Sequence, residues 1–258
     1  MNRIYRTLWS AATQSWQAVP ETAKTAGKKS VKSAAGGVVA SVALSVSLTG
    51  GAGAQSPPAI QQLPTGGNVV RGTATLSQTA SAQAAALTVN QSSQRAVVNW
   101  DTFNLGSSAS VNFVQPNAQA VTLNRVNDNN PSQIFGRITA NGQVFLSNPS
   151  GVFFSPTSSV DVGGLVATTH SISDDNFMAG INLFERNGST GKVINEGRIS
   201  AALGGYVALL APEVQNAGVV VARAGTVAMA AGEQITPQAR RRWLGQPDHH
   251  AQHHRHLD

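Results

Sequence analysis

Near its C-terminal end the chain carries an internal repeat with a period close to 20 residues. Residues 193–201 align with residues 214–222 at an offset of 21. The aligned positions are Val193/Val214, Asn195/Asn216, Gly197/Gly218, Ile199/Val220, Ala201/Ala222, Gly204/Gly225 and, after a slip of one residue, Val207/Val227. A unit of this size cannot bury its apolar face alone and is stabilised by stacking on its neighbours. The repeat therefore predicts a solenoid.

The composition of the rest of the chain favours the same fold class. Only 12% of the residues are charged, and short segments rich in Val, Ala, Asn, Gly, Thr and Ser alternate without a long helical period. This pattern is typical of an all-β protein, and we predict a right-handed parallel β-helix over residues 68–237. Asn195 and Asn216 would stack at a corner, where asparagine tolerates a left-handed φ and can form an amide ladder. Two similar hairpins in a β-sandwich are the alternative.

Two short apolar runs flank a turn in the middle of the chain. Residues 144–146 and 152–154 have the β-branched and aromatic content of buried strands. Between them, Pro149 has a fixed φ and Gly151 is free to adopt a positive φ. We predict strand, tight turn and strand, with no catalytic group nearby.

The start of the β region is predicted to cap the solenoid. Residues 55–67 form a Pro/Gly-rich lead-in segment, and the strands that follow, up to Leu105, would cover the first coil. A cap is expected because an open solenoid end exposes a row of unpaired backbone groups.

The positive charge of the chain is concentrated at its ends. The net charge of +6 divides into +5 for residues 1–54, −1 for residues 55–237 and +2 for residues 238–258. A nearly neutral body has no electrostatic footprint for DNA or RNA, so nucleic-acid binding is not predicted.

Residues 1–54 have the pattern of a cleaved, extended signal peptide. A basic cluster over residues 24–32 precedes an apolar run over residues 38–48, and small residues end at Ala54 before Gln55. A membrane anchor is the alternative, but the apolar run is short for a bilayer span. We predict delivery to the inner-membrane secretion machinery and cleavage between Ala54 and Gln55.

The central turn carries a short motif that points to a known family. Asn148, Pro149, Ser150, Gly151 and Val152 resemble the Asn-Pro-Asn-Gly-Ile signature in the secretion domain of two-partner-secretion exoproteins, the filamentous-haemagglutinin-like adhesins. Serine retains the local turn hydrogen bonding of asparagine, and valine retains a β core side chain.

Other segments carry the resemblance further, over roughly residues 68–236. A weaker second motif includes Pro116 and Asn117, and the run that begins at Asn130 and Pro131 is similar to the family as well. A further matching segment, N-terminal to these, consists of Trp100, Asp101 and Phe103.

The resemblance implies export rather than catalysis. The region around residues 148–152 would be captured by the periplasmic domains of a partner outer-membrane β-barrel transporter, by addition of an extended segment to an exposed sheet edge. The chain would be the cofactor-free N-terminal part of a large secreted or surface adhesin, which would contact host or cell-surface glycans. Contact-dependent toxin delivery, haem acquisition and haemolysis use the same type of start and stay open as alternatives.

Two other classes share features with the predicted fold. β-Helix polysaccharide lyases and pectin hydrolases need several Asp with Lys or Arg on one face, whereas the nine acids of residues 55–237 are scattered apart from Asp174 and Asp175. A carbohydrate-binding module would need an exposed aromatic strip, and the aromatic residues lie mostly within apolar runs. We therefore predict no enzymatic activity.

Isolated polar residues are interpreted structurally. Asp174 and Asp175 lack the spacing of a calcium loop and are predicted to form a solvated turn. His170 has no acid partner in the sequence and is predicted to be a surface or core histidine. Asp101 is predicted to be a turn or capping carboxylate.

The last segment of the chain lacks a β pattern. Residues 238–258 contain an Arg-rich run and five histidines. Although His249/His253 and His250/His254 have a spacing that could chelate a metal in a helix, no carboxylate or cysteine completes a closed site. We predict a disordered tail without a metal site, typical of a truncated or frameshifted reading.

Overall fold

The computed structural model of the chain describes residues 56–236, together with the backbone of two leader strands. These strands, β1 (Tyr5–Ser10) and β2 (Ser15–Pro20), pair as an antiparallel hairpin. The predicted cleavage site at Ala54 and Gln55 and the predicted tail over residues 238–258 lie outside the described residues.

Most strands stack into three sheets that run along a solenoid. The first sheet contains β4 (Ala74–Ala80), β5 (Ala85–Gln91), β7 (Ala109–Val114), β10 (Arg137–Ala140), β13 (Ser159–Val162), β17 (Arg198–Ala201) and β20 (Val219–Ala222). The second contains β3 (Asn68–Arg71), β6 (Arg95–Trp100), β8 (Val121–Val126), β11 (Gln143–Ser147), β14 (Gly164–Thr168), β18 (Tyr206–Leu210) and β21 (Thr226–Ala230). The third contains β9 (Ser132–Ile134), β12 (Val152–Phe154), β16 (Lys192–Asn195) and β19 (Glu213–Asn216).

The chain visits the three sheets in the same order in each coil. Coil 1 consists of β5 and β6, with a single bridge from Leu105 to Ile134 in place of a third strand. Coils 2, 3, 4 and 5 begin with β7, β10, β13 and β17, and coil 6 consists of β20 and β21. From β5 onward, neighbouring strands of each sheet pair in parallel. The predicted all-β parallel β-helix is confirmed.

The repeat read from the sequence is the strand register of coils 4 to 6. Val193 pairs with Val214, Ile199 with Val220 and Val207 with Val227. The one-residue slip in the repeat lies a few residues earlier than predicted. Gly225 stacks on Gly205 and not on Gly204, as shown by the N–H of Thr226, which donates to the carbonyl of Gly205 at 3.2 Å.

The residues that precede these stacked glycines share a backbone conformation. Gly204 and Ala224 both have a positive φ, of 75° and 49°. The repeat offset between coils 5 and 6 therefore becomes one residue shorter before this turn, between the Ala201/Ala222 pair and these glycines.

The predicted asparagine ladder is confirmed in one respect and wrong in another. Asn195 Nδ2 donates to Asn216 Oδ1 at 2.7 Å, so the two amides stack as expected. Neither residue has a positive φ. They lie at the ends of β16 and β19 in extended backbone, and the following residues make the corner.

The interior of the solenoid is filled by columns of apolar side chains. Val144, Leu165 and Val207 stand in register in three successive coils and are buried in the main core. A second apolar cluster lies on the outer face of the second sheet and includes Phe145, Val166 and Ala208. An outer face with this composition needs a cover, since burying apolar area is the main stabilising term in folding.

An insertion over residues 169–191 covers that outer face. It lies between β14 and β16 and contains α1 (Asp174–Met178) and β15 (Phe184–Glu185). Phe177 and Phe184 each place their rings 5.9 Å from the ring of Phe145. The insertion also pairs antiparallel with the last strand, β22 (Gln234–Ile235).

The insertion is anchored by arginines from two coils. Arg95 Nη1 donates to the carbonyl of Phe177 at 2.7 Å, with the guanidinium 4.9 Å from the centre of the ring. Arg125 Nη2 forms an ion pair with Asp174 at 2.6 Å. The prediction of a solvated turn at Asp174 and Asp175 is therefore wrong, because both lie in the first turn of α1, where the helix dipole favours acidic residues.

Two titratable groups near the insertion are shifted by burial. Burial lowers the pKa of Arg95 and raises the pKa of Tyr206 far above its usual value. The Tyr206 hydroxyl donates to Gln143 Oε1 at 2.7 Å, which suits the protonated phenol.

The N-terminal end of the solenoid is capped, as predicted. β3 pairs antiparallel with β6, and β4 pairs antiparallel with β5. The lead-in segment adds to the cap, since the carbonyls of Ile60 and Gln62 accept from Ser108 N and Gly106 N at 2.7 and 2.9 Å. The predicted cap extended too far, however, because β5 and β6 are the first coil itself.

Trp100 and Phe103 belong to the core at this end. Both are buried, with their rings 5.5 Å apart in an edge-to-face arrangement. Trp100 Nε1 donates to Asn124 Oδ1 at 3.0 Å. Within residues 56–236 no helix has the length and apolarity needed to cross a bilayer.

Candidate recognition site

The motif corner, defined as residues 148–152, connects the second and third sheets in coil 3. β11 ends at Ser147 and β12 begins at Val152, so the predicted strand, turn and strand are present. The turn is closed by Gly151 N, which donates to the carbonyl of Asn148 at 3.0 Å. Gly151 has a φ of +130°, which confirms the predicted positive φ and is accessible essentially only to glycine.

Asn148 holds the corner together from inside. Its side chain is buried, and Nδ2 donates to the carbonyl of Asn130 and to Ser132 Oγ, both at 3.0 Å. Its Oδ1 accepts from Ser150 N at 2.9 Å. The amide thus satisfies both its donor and acceptor groups while it links coil 3 to coil 2.

Ser150 makes a second link to the coil below. Its Oγ donates to the carbonyl of Asp128 at 2.7 Å. In the backbone, Ser132 N donates to the carbonyl of Gly151 at 3.0 Å. The structure therefore brings Asn130 and Pro131 of the weaker motif next to the motif corner.

The other half of the weaker motif lies elsewhere. Pro116 and Asn117 are exposed at the corner between β7 and β8, where Asn117 Nδ2 donates to Gln94 Oε1 at 2.9 Å and Asn117 Oδ1 accepts from Gln119 N. They connect the first and second sheets, whereas the motif corner connects the second and third. These two residues are not part of the same site.

The last turn of the insertion covers one side of the motif corner. Ser189 Oγ donates to the carbonyl of Pro149 at 2.7 Å. A Cβ on Gly191 would lie 2.5 Å from that same oxygen and 2.8 Å from Gly151 N, so only glycine fits this close approach. Sequence reasoning missed this contact, because residues 40 positions apart and outside the repeat give no periodic signal.

A cleft of about 550 Å³ opens between the motif corner, the neighbouring coil and this loop. Its lining residues are Asn129, Pro131, Pro149, Ser150, Val152, Phe153, Gly188, Ser189, Thr190, Gly191, Lys192 and Ile194. Phe153 points outward and contacts Phe135, with their ring centres 5.9 Å apart. The cleft is lined by both apolar and polar side chains, and its single charged group, Lys192, forms an ion pair with Glu213 at 2.7 Å.

The folded corner offers no free strand edge. β12 pairs on one side with β9 and on the other with β16. The expected capture by strand addition is therefore blocked in the folded solenoid. What the corner does present to a partner is the exposed Pro149 and the half-buried Ser150 and Phe153 beside the cleft.

The isolated polar residues His170 and Asp101 are not among the residues that line the cleft. His170, predicted to be a surface or core histidine, lies in the core, and its Nε2 is 2.7 Å from the carbonyl oxygen of Gly232. Asp101 is an exposed residue directly after β6, where its N–H donates to the carbonyl of Thr65 at 3.0 Å. Residues 56–236 contain no group of three or more side chains suited to hold a metal ion.

Comparison with known proteins gives this corner its context. The family model of the TPS secretion domain matches residues 59–254, which include the whole solenoid. The chain belongs to this family. A second family model, the extended signal peptide of the type V secretion system, matches residues 1–50. The matched range reaches past the predicted boundaries of 68 and 237, which stay predictions.

Similar proteins come from Haemophilus influenzae. Two curated relatives are named Heme/hemopexin-binding protein; one, from strain ATCC 51907 / DSM 11121 / KW20 / Rd, is 36% identical over 141 residues, or 54% of this chain and 15% of the relative. The other is 35% identical over 159 residues, or 62% of this chain and 16% of the relative. The chain thus spans about a sixth of the length of these relatives.

A solved structure resembles the fold as well. The crystal structure of the HMW1 secretion domain from Haemophilus influenzae superposes with a TM-score of 0.61 at 32% identity, covering 67% of this chain and 46% of that one. The TPS secretion domain of this chain is a secretion-recognition domain, and the protein is secreted or displayed at the cell surface through the periplasm and outer membrane. The family implies a partner outer-membrane transporter and points to a role other than catalysis.

Proposed function

We propose that the partner transporter recognises the chain through the motif corner, by its periplasmic domains. The observation that supports this is the convergence of two motif segments, Asn130–Pro131 and Asn148–Val152, at one cleft. The corner combines a buried scaffold, Asn148, with an exposed proline that a partner can reach. The leader delivers the chain to the inner-membrane secretion machinery, with cleavage between Ala54 and Gln55.

Recognition acts on a chain that has not completed its coils. Strand addition at residues 152–154 requires that β9 or β16 be absent, because both flank β12 in the folded solenoid. In the unfolded or partly folded chain this segment is available for backbone pairing. Pairing with β9 of coil 2 covers one edge of β12, and folding of coil 4 covers the other edge with β16.

The test is export of the chain from cells that carry its partner transporter. We compare the wild type with the double variant Asn148→Ala/Pro149→Ala and with a matched control, Pro116→Ala/Asn117→Ala, which changes the same residue types at the exposed corner between β7 and β8. Export should fall about tenfold or more for the first variant and change little for the control, as expected when a buried hydrogen-bonded group is removed at the recognised site.

A second readout separates recognition from folding. Pro149→Ala alone removes an exposed ring without touching the hydrogen bonds of Asn148. It should weaken binding of the urea-unfolded chain, after dilution, to the purified periplasmic domains. Equal export of the double variant and the wild type, or equal export without the transporter, would overturn the proposal.

We propose further that the parent protein is a large non-enzymatic exoprotein, either an adhesin that contacts host glycans or a haem-binding protein. The second is supported by the names of the two curated relatives, although these matches cover only 15% and 16% of those proteins. A spectrophotometric titration of the full secreted product with haemin would reveal a Soret shift at micromolar concentration for a haem-binding protein. Binding to immobilised glycans without such a shift would favour the adhesin.

A further inference from the structure

We propose that the loop over residues 188–191, here called the corner loop, competes with the partner transporter for the same side of the motif corner. This inference rests on the proposed function of the corner. The corner loop would then act as a built-in release element, which displaces the transporter once coil 4 has folded.

The contacts of the corner loop fall on the motif itself. Ser189 is buried, and its Oγ donates to the carbonyl of Pro149. The backbone of Gly191 packs so closely on Pro149 and Ser150 that a Cβ would lie 2.7 Å from the Ser150 carbonyl carbon. Immediately beyond, a Cβ on Gly151 would lie 3.0 Å from the carbonyl oxygen of Lys192. The loop therefore occupies one side of the turn at van der Waals distance.

The order of the chain makes this contact late. Ser189 follows Pro149 by 40 residues, and β12, β13, β14, α1 and β15 lie between them. Both links from the motif corner to coil 2, through Asn148 and Ser150, use residues that precede the corner. A chain that is exported from its N-terminus can thus form the links between the motif corner and coil 2 before the corner loop is present. The side of the turn that the corner loop later covers is then still open.

The composition of the corner loop suits a contact with the turn that can form and break reversibly. Gly188 has a positive φ of 75° with nothing within 4 Å of its Cβ position, and Thr190 is exposed. The contacts with the turn come from Ser189 and Gly191. Its contacts with the turn are one side-chain hydrogen bond and close backbone packing, whereas Arg186 Nε holds it to the insertion by donating to the carbonyl of Ser189 at 2.8 Å. A single added methyl group at Gly191 would therefore displace the loop from the turn.

The experiment measures binding of the folded chain to the purified periplasmic domains of its transporter. Gly191→Val forces the loop away from the turn. Ser189→Ala removes only the hydrogen bonds of the Ser189 hydroxyl, which donates to the carbonyl of Pro149 and accepts from Gly191 N at 3.4 Å. Gly188→Asn is the matched control, because asparagine tolerates a left-handed φ and its side chain meets open space. Circular dichroism confirms that each variant keeps its β structure.

The expected result is tighter binding by the variants that release the corner. Since apparent affinity scales with the fraction of molecules whose site is open, Gly191→Val should bind about tenfold tighter than the wild type, Ser189→Ala about twofold tighter, and Gly188→Asn equally. Unchanged or weaker binding by a folded Gly191→Val chain would overturn the proposal.

The unfolded wild-type chain distinguishes the two proposals. If it binds the periplasmic domains and the Gly191→Val chain gains nothing, the recognition site stands and competition by the loop is refuted. If the unfolded chain does not bind either, the proposed function of the corner itself fails. Should Gly191→Val lose its β structure, the Ser189→Ala comparison decides alone, because that variant adds no atoms.

Discussion

Two corners of the solenoid solve the same geometric problem with different chemistry. At the motif corner, Asn148 reaches down to the backbone of Asn130 and to Ser132 Oγ, in a set of side-chain contacts that recurs in no other coil within residues 56–236. At the corner after β16, Asn195 donates to Asn216, its own counterpart one coil later. The first corner is specified by individual bonds and the second by repetition. A site that a partner must recognise is expected to be of the first kind, because a repeated corner looks the same in several coils and does not mark one position.

The largest expected effect comes from the buried amide of the motif corner. Asn148→Ala removes hydrogen bonds to the carbonyl of Asn130 and to Ser132 Oγ and one from Ser150 N. Each lost hydrogen bond costs about 0.5–1.5 kcal/mol, and about 1–3 kcal/mol where the group left behind is buried, as Ser132 is. We expect the free energy of unfolding to fall by about 2–4 kcal/mol, measured by urea denaturation. A loss no larger than that of Asn195→Ala would remove the distinction between the two corners.

Backbone strain gives the next effect. Gly151→Ala places a side chain at a φ of +130° and 3.0 Å from the carbonyl oxygen of Lys192, which should cost roughly 2–3 kcal/mol. Gly204→Ala is the control, because its φ of 75° is strained but its Cβ position is open; it should cost about 1 kcal/mol. Thermal melts of both variants measure the difference, and equal melting temperatures would show that the motif corner is not unusually constrained.

The repeating corner should tolerate more. Asn195→Ala removes one hydrogen bond to Asn216 and one from Gly197 N, which lies 3.2 Å from Asn195 Oδ1. We expect a loss of about 1–2 kcal/mol in urea denaturation, with export unchanged, because the residue lies outside the motif. A loss of export comparable to that of Asn148→Ala would show that any damage to a corner blocks secretion.

The smallest effect concerns the ion pair at the rim of the cleft. Lys192 and Glu213 are both about half exposed, so Lys192→Ala should change the free energy of unfolding by about 0.5 kcal/mol or less. If the cleft binds the transporter, the same substitution alters the salt dependence of that binding instead. The check is a pair of titrations at low and high ionic strength.

The periodic part of the fold could be predicted from the sequence, and the aperiodic part could not. Val193/Val214 and Ile199/Val220 revealed the register because identical chemistry recurs where coils stack. The strands around residues 148–151 were visible because proline and glycine mark a turn between apolar runs. The left-handed backbone conformation predicted for Asn195 is wrong, since an amide can stack from the end of an extended strand as well as from a left-handed turn.

What the sequence concealed lies in long-range contacts without a period. The insertion carries an ordinary mixture of polar and apolar residues, and nothing in it announces that Phe177 packs on Phe145 or that Ser189 binds Pro149. Asp174 was placed in a solvated turn because its partner, Arg125, is 49 residues away. The two halves of the weaker motif could not be told apart either, because only the coil geometry separates Asn117 from Asn130.

The insertion also alters how the solenoid would respond to force. In a stack of coils that touch only their neighbours, tension applied at one end removes one coil at a time. Here the insertion is tied to coil 1 through Arg95, to coil 2 through Arg125, and to the strand after coil 6 through the ion pair of Arg186 with Glu233 at 2.7 Å. A force applied to the last strand is therefore transmitted to the insertion before any single coil can detach. The coils that the insertion connects should then unfold together in a single rupture.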